Sequence, residues 1–548
     1  MSRLTRSLNL LFHTIFWVFL TTIVAVVLFG NGGHDDSHIT YWAADSICRG
    51  GLPQNYNGEW VEQSSTPGFT VLLASFACVL PVSTPTLGWL LSLLGRALTI
   101  GAVVGISDRH RPGSGWWVAP IIATEPLLAY WGTSGMEMTF TALAYVLLPW
   151  SIVKLVEGRL WPYVGAVILV VLIRPEGPIV LGCELACLAV WSLGTESELR
   201  SLWTRALGIP FCIGLPLFGI RRLVYGLWMP QPVISKMHGT KAFERGTEYF
   251  FKYDHLVNLT VVVAVLAIVV GGWAVIRRRE SPLYLVLATG IVAAVGAFVV
   301  LSGGDWMKVG RFFVPFAAAT LALSVYGVGF LSKPIVAVVV LVLMGRHGQL
   351  TYEIALKTGT GRPISDAIRI RNELPSVLQD YPLVEYANIA HLRDIHLIHA
   401  IEEVLPSIRS QINGPVTLFS GQAGMVPYYL FSEHRDLVFV DANSLVTNNV
   451  NRCLPSKSFR NWPVGQHFSL RTLFVHRDVV SKRCGVEMPA IVFESGQKIR
   501  YVLKKLDYHV VFRLRGVRHP RDKIFGNTGR ASGWVAVRND LLPLDYGE

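Results

Sequence analysis

The chain has 548 residues, 51% of them hydrophobic and only 16% charged, where soluble domains carry about 25% charged residues. That balance excludes an ordinary soluble globule. The net charge of +12 does not point to a nucleic-acid partner either, because many Lys and Arg sit in short loops between apolar runs instead of on one polar module.

Apolar runs near the ~20 residues needed to cross a bilayer recur through the first 345 positions. The first, 8–29, follows Arg3 and Arg6. It is longer than a signal-peptide core and has no small-residue cleavage site, so it is predicted as a transmembrane anchor. Further spans are predicted at 88–106, 115–131, 137–153, 160–174, 177–194, 206–220, 258–276, 282–301, 311–331 and 334–345. The stretch 66–82 is also apolar. If it lies in the interface without crossing, Arg3, Arg6, Arg109, Arg111, Lys154, Arg159, Arg200, Arg205, Arg277-Arg278-Arg279 and Lys333 all fall on one side, which the positive-inside bias makes cytoplasmic. The expectation is a polytopic α-helical membrane protein with about eleven transmembrane helices over 1–345 and a soluble α/β domain over 346–548 on the opposite side. Loop 221–257 runs against the bias, carrying Arg221, Arg222, Lys236, Lys241, Arg245 and Lys252. It is either a solvated loop or a holder of an anionic group.

In the polar tail, strands are predicted at 415–419 and 437–440 and near 472–476, 490–494 and 508–514, with a helix at 421–432. The seven cysteines form no CxxC pair and no metal spacing. Cys78, Cys183, Cys187 and Cys212 lie in apolar segments and read as small membrane-embedded residues. Cys453 and Cys484, the two in the tail, are a disulfide candidate if that compartment is oxidising, or else two separate thiols.

The loops on the non-cytoplasmic side gather ionisable residues. His34-Asp35-Asp36-Ser37-His38 sets two adjacent carboxylates at the membrane edge, costly to desolvate without a role or partner. The same residues read alternatively as a solvated loop start or as metal ligands, although no further ligand set accompanies them. Next come Asn57-Gly58-Glu59-Trp60-Val61-Glu62 and Ser65-Thr66-Pro67, then Ser134-Gly135-Met136-Glu137 at a span start. Arg174-Pro175-Glu176-Gly177 marks a Pro-broken helix junction whose buried opposite charges are expected to pair with each other or with substrate. The last such loop, Ser302-Gly303-Gly304-Asp305-Trp306-Met307-Lys308-Val309-Gly310-Arg311, joins close backbone approach at glycine to a hydroxyl acceptor and a stacking indole.

With these strings the chain resembles the GT-C class of membrane glycosyltransferases, and is most similar to bacterial arabinofuranosyltransferases of the terminal β-(1→2) type. Arg222, Tyr225-Gly226, Pro230, Lys236, Gly303-Gly304-Asp305-Trp306-Met307, Gly310-Arg311-Phe312 and Pro315 carry the likeness further, over about 30–320. Ala423-Gly424, Tyr428-Tyr429, Asp441 and Leu445 extend it more faintly into the tail. Pro230-Gln231-Pro232 departs from the Pro-Asn pattern expected before the lysine.

The resemblance implies a polyprenyl-phosphate-sugar donor, of the decaprenyl-phosphate-arabinofuranose kind, and a glycan or glycoprotein acceptor of the cell envelope, with no other cofactor and with a divalent metal left open. It implies that Asp35 or Asp36, the latter slightly favoured, deprotonates the acceptor hydroxyl as it attacks the anomeric carbon, with inversion there. The donor phosphate falls to Arg174, Arg222, Lys236 and Arg311. Sugar and acceptor contacts fall to Glu59, Glu62, Glu137, Glu176, Asp305 and Trp306. Mannosyl and other pentosyl transfer compete within the class. A transporter or lipid flippase with a large outer domain competes from outside it, but would hold its charges nearer the mid-plane.

Overall fold

A computed structural model describes residues 3–442 apart from 34, 194–198, 237–241, 279–281, 306, 308 and 359–360, and then 445–447, 481–482, 488–495, 507–517 and 531–542. The chain opens with α1 (Arg3–Phe29), α2 (Asp36–Cys48), α3 (Pro67–Ala77) and α4 (Thr84–His110). There follow α5 (Gly115–Ala123), α6 (Pro126–Trp131), α7 (Met138–Val156), α8 (Leu160–Ile173), α9 (Gly177–Ser192) and α10 (Leu199–Ile220), the last running into a π-helical turn, Arg221–Tyr225. The bundle closes with α11 (Gln231–Lys236), α12 (Ala242–Tyr253), α13 (Asn258–Arg278), α14 (Leu283–Leu301), α15 (Phe313–Val328) and α16 (Lys333–Glu353). Among the described residues seven helices are long and apolar enough to cross a membrane: α1, α4, α7, α10, α13, α14 and α16. The apolar helices α3, α8, α9 and α15 are shorter.

The expected span 115–131 is two helices, not one. Pro126 has no N–H to continue the helical ladder and starts α6 instead, with Glu125 as N-cap accepting the Leu128 amide at 2.5 Å. Similarly, Arg174 ahead of Pro175 is extended, at φ −151° and ψ 149°, and separates α8 from α9. The helix α15 is buried along its whole length and forms the axis of the bundle. A Cβ at its Gly327 would lie 2.2 Å from that of Ala267 on α13, so small residues let these two helices meet closely. Around this axis α1 and α13 turn Phe12, Phe16, Phe19, Leu266 and Val269 outward, as a lipid-facing surface requires.

The expected boundary between 345 and 346 falls inside α16. Beyond it come α17 (Ile364–Glu373), α18 (Leu383–Tyr386), α19 (Ile389–Arg409), β1 (Val416–Ser420), α20 (Met425–Glu433), β2 (Leu437–Asp441), β3 (Ile491–Ser495), β4 (Tyr508–Val517) and β5 (Ala531–Arg538). The strands order as β2-β1-β3-β5-β4, parallel on the first side and antiparallel from β3 onward. Four of the expected strands are present, β5 was not foreseen, and 472–476 lies outside the described residues, as do Cys453 and Cys484.

The sheet does not hang free of the bundle. Asn57 of the α2–α3 loop donates to the Phe439 carbonyl at 2.9 Å and accepts the Phe439 amide at 2.8 Å, so a side-chain amide pairs with the edge strand β2. The Tyr56 hydroxyl donates to the Ala423 carbonyl at 2.9 Å, and that of Tyr428 to Asp45 at 2.8 Å. One sequence reading is corrected here. Cys78 is not a lone membrane-embedded residue but is disulfide-bonded to Cys48, which fastens the end of α2 to the end of α3. Cys48 lies outside the apolar runs, and nothing in a 30-residue separation announces a pairing.

Candidate active site

The two adjacent carboxylates stand where the bundle meets the C-terminal domain. After α1 the chain makes a left-handed turn at Gly30, where any Cβ would strike the Arg362 carbonyl. Asp35 is the N-cap of α2, with Asp36 as the first helical residue. Carboxylates are favoured at this end of a helix by its dipole. Asp35 is buried and Asp36 half-buried. The N-terminus of α20 presses on Asp35: a Cβ on Gly424 would lie 2.0 Å from its carbonyl oxygen. Burial, then the charges of Asp36 and Asp394, push the Asp35 carboxyl up to about 7, against the pull of Arg393 and His391. A carboxyl so placed exchanges its proton near neutral pH.

The C-terminal domain supplies several neighbours that sequence reading missed. Glu385 of α18 is buried and meets His38 Nε2 at 3.0 Å and His391 Nδ1 at 2.6 Å. Burial alone would raise its carboxyl, but the two imidazoles outweigh burial and hold it well below the usual carboxylate range. The Tyr429 hydroxyl donates to it at 3.2 Å. One residue along from Arg393, Asp394 pairs with the Arg393 guanidinium at 2.6 Å. The signal available was the density of ionisable residues in Glu385…His391…Arg393-Asp394, the last three set on an apolar helical repeat, Leu392, Ile395, Ile398 and Ile401, all buried.

A second charged group lies beyond Tyr41, whose hydroxyl donates to the Gly135 carbonyl at 3.1 Å. Tyr41 feels both Glu385 and Glu137, so it stands between the two groups. Arg174 Nη1 meets Glu137 at 2.5 Å and its Nε meets Glu176 at 2.5 Å, all three residues buried. The expected pairing of the Arg-Pro-Glu junction is therefore present, with Glu137 as a third member. Arg311 pairs with Asp305 at 2.7 Å, and the Arg174 and Arg311 guanidinia each lie 5.3 Å from the ring of Phe312, within cation–π reach. Val309 just before Arg311 holds φ +62°, an unusual state for a β-branched residue. Its carbonyl accepts the Trp131 indole at 3.0 Å.

The remaining candidates divide. Glu62 is buried against Arg221, while Arg222 projects outward and donates to the Gly226 carbonyl. The next cation is therefore the buried one, because the π-helical turn rotates Arg221 inward. Glu59 accepts from Asn55 at 2.6 Å and is half-buried. Lys236 ends α11, whose first residue Gln231 donates its amide to the Glu62 carbonyl at 3.2 Å. The Lys236 side chain and all of Trp306 lie outside the described residues. Among the described residues, Glu402, Glu433 and His434 are the group spaced to hold a metal ion, on α19 and at the end of α20.

The helix order, the charged end of the bundle and the domain docked on it make a polytopic α-helical membrane fold with a small α/β domain at its C-terminal end. It is similar to that of ArnT from Cupriavidus metallidurans in the apo state, at a TM-score of 0.51 and 13% identity, covering 98% of this chain and 99% of that one. It is also similar to the apo oligosaccharyltransferase of Archaeoglobus fulgidus, at a TM-score of 0.50 and 12% identity, covering 88% of this chain and 69% of that one. A second ArnT structure, bound to undecaprenyl phosphate, aligns at a TM-score of 0.48 and 13% identity, covering 95% and 97%. No protein-family model matches the chain, and no curated protein matches it.

Proposed function

We propose that the protein is a glycosyltransferase that moves a sugar from a polyprenyl-phosphate donor to a cell-envelope glycan or glycoprotein on the non-cytoplasmic face of a bacterial plasma membrane. Arabinofuranose is the sugar the sequence resemblance favours. The observation that carries the reading is the Asp35–Asp36 pair, walled in by the C-terminal domain with Asp35 raised to about 7, the range a general base needs at neutral pH.

In this mechanism a carboxylate of the pair takes the acceptor hydroxyl proton while the oxygen attacks the anomeric carbon. The bond to the phosphate oxygen breaks on the opposite face, which inverts the centre. The half-buried Asp36 is the better placed to meet an acceptor, and its charge helps to raise the carboxyl of the buried Asp35 beside it. Charge developing on the leaving phosphate is met from the Arg174 and Arg311 side, where each guanidinium already holds a carboxylate. Donor phosphate there competes with Glu137, Glu176 and Asp305, which can turn to sugar hydroxyls in exchange. The Cys48–Cys78 disulfide supports the outward placement, since such bonds persist in oxidising compartments.

The test is turnover by the purified protein in lipid vesicles with a panel of polyprenyl-phosphate sugars. Transfer from one donor, lost by about 10²-fold or more in Asp36→Asn or Asp35→Asn, is expected. Near-normal turnover in both variants removes this loop from the chemistry, and transfer of another sugar replaces arabinofuranose.

A further inference from the structure

We propose that Arg49 and Arg435, held on one tryptophan at the seam between the bundle and the C-terminal domain, bind the phosphate headgroup of an anionic membrane lipid.

The two cations come from the two halves of the molecule. Arg49 is the C-cap of α2, and Arg435 lies in the turn between α20 and β2. Their guanidinium carbons lie 4.4 and 5.7 Å from the ring of Trp42, within cation–π reach. The indole is fixed in place. It is buried, and its ring centroid lies 5.0 Å from that of Tyr56 and 6.5 Å from that of Tyr428 on α20.

Both arginines are exposed, and among the described residues neither side chain makes an ion pair or a hydrogen bond. Each has an acid close by in sequence that is engaged elsewhere. Asp45, one turn back on α2, accepts the Thr84 hydroxyl at 2.6 Å and the Tyr428 hydroxyl at 2.8 Å. Asp436, next to Arg435, is held by Arg409 at 2.6 Å. A helix C-terminus favours a cation, which accounts for Arg49 but not for a second cation on the same ring. Like charges so placed repel unless an anion joins them, and phosphate oxygens match the guanidinium fork.

The surface beside Arg49 assigns the phosphate to a lipid. Its neighbour Cys48 is bonded to Cys78 at the end of α3. There Phe76, Val79 and Leu80 are exposed, Val79 at 77%, and so is Leu52, three residues past Arg49. Large apolar side chains exposed together on a membrane protein face lipid tails. Arg49 stands at the edge of that surface, where a guanidinium meets the headgroup layer. The 13 residues of α2 set it about 20 Å from the aspartate pair, so this phosphate is not the one that leaves the sugar.

The experiment follows lipid adducts on the full chain in detergent by native mass spectrometry, with phosphatidylglycerol and phosphatidylcholine of the same tails as probes. Phosphatidylglycerol is expected to bind the parent in preference, and to bind about 5-fold more weakly in Arg49→Gln or Arg435→Gln. Arg435→Lys, which keeps the charge, should retain most of the binding, and Arg409→Gln, whose cation is already engaged by Asp436, should bind as the parent does. A second readout is amide exchange at 434–436 with the parent in phosphatidylcholine vesicles, expected to slow when phosphatidylglycerol is included. Equal binding of the two lipids, or unchanged phosphatidylglycerol binding when both arginines are Gln, overturns the proposal. Slowing by inorganic phosphate as strong as that by the lipid makes the ligand a soluble phosphate and overturns the lipid assignment.

Discussion

Arg221 grips Glu62 with two nitrogens, its Nε at 2.7 Å from one carboxylate oxygen and its Nη2 at 3.0 Å from the other, across 159 residues of sequence. Such a fork is both directional and strong, and it ties the end of α10 to the loop that carries the aspartate helix. Replacing Arg221 by Ala leaves Glu62 buried and unpaired, at a cost of about 3 to 5 kcal/mol. The same change at the exposed Arg222 should stay within about 0.5 kcal/mol. Thermal unfolding of the two variants in detergent checks this, and equal loss in both would contradict the inward placement of Arg221.

Arg174 makes a stricter case, because it neutralises two buried carboxylates at once. Arg174→Ala should lower stability more than Arg221→Ala, while Arg174→Ala combined with Glu137→Gln and Glu176→Gln should recover part of the loss. Unfolding midpoints of the single and triple variants measure it. No recovery in the triple variant would mean that the guanidinium matters for packing on Phe312 and not for the charges.

The seam between bundle and C-terminal domain should loosen with alkali. Glu385 is depressed, so its contribution is present above its ordinary 4.5 and is lost only as pH falls through its lower folded value. His391 is raised, so its contribution is complete below its ordinary 6.5 and is lost as pH rises through its higher folded value. Amide exchange in α2 and α19, corrected for intrinsic rate, should therefore be faster at about pH 9 than at about pH 6. Slower exchange at the alkaline end would reverse the sign of the argument.

Topology is open to direct labelling. Cysteines at Trp60 and Arg277, both exposed, should react with a membrane-impermeant thiol reagent from opposite sides of oriented membranes, Trp60 from the outside. Labelling of both from one side would undo the charge-based threading.

The bundle was legible because lipid leaves a plain mark: long apolar runs punctuated by basic loops. Pro126 and Pro175 were legible as helix breakers, although only the second was read as one. The Arg174 pairing was legible because its partner sits two residues away. What sequence could not show was contact at a distance. His38 meets Glu385 across 347 residues, and no local period relates them. Arg221 and Arg222 are neighbours of the same kind, and which of them turns inward depends on one π-helical turn. Cys48 and Cys78 likewise became partners only because α2 and α3 pack side by side.

The Asn57 amide on β2 bears on how the protein can be handled. Among the described residues it takes up both backbone groups of Phe439, at the outer side of β2 where a further strand would pair, and it comes from the other half of the molecule. An isolated C-terminal fragment would lose the Asn57 pairing at Phe439, and unpaired edge groups recruit strands from other chains. Attempts to express the domain without its helices should therefore give self-associating material, and binding work that would ordinarily be done on a soluble fragment calls for the whole chain in lipid.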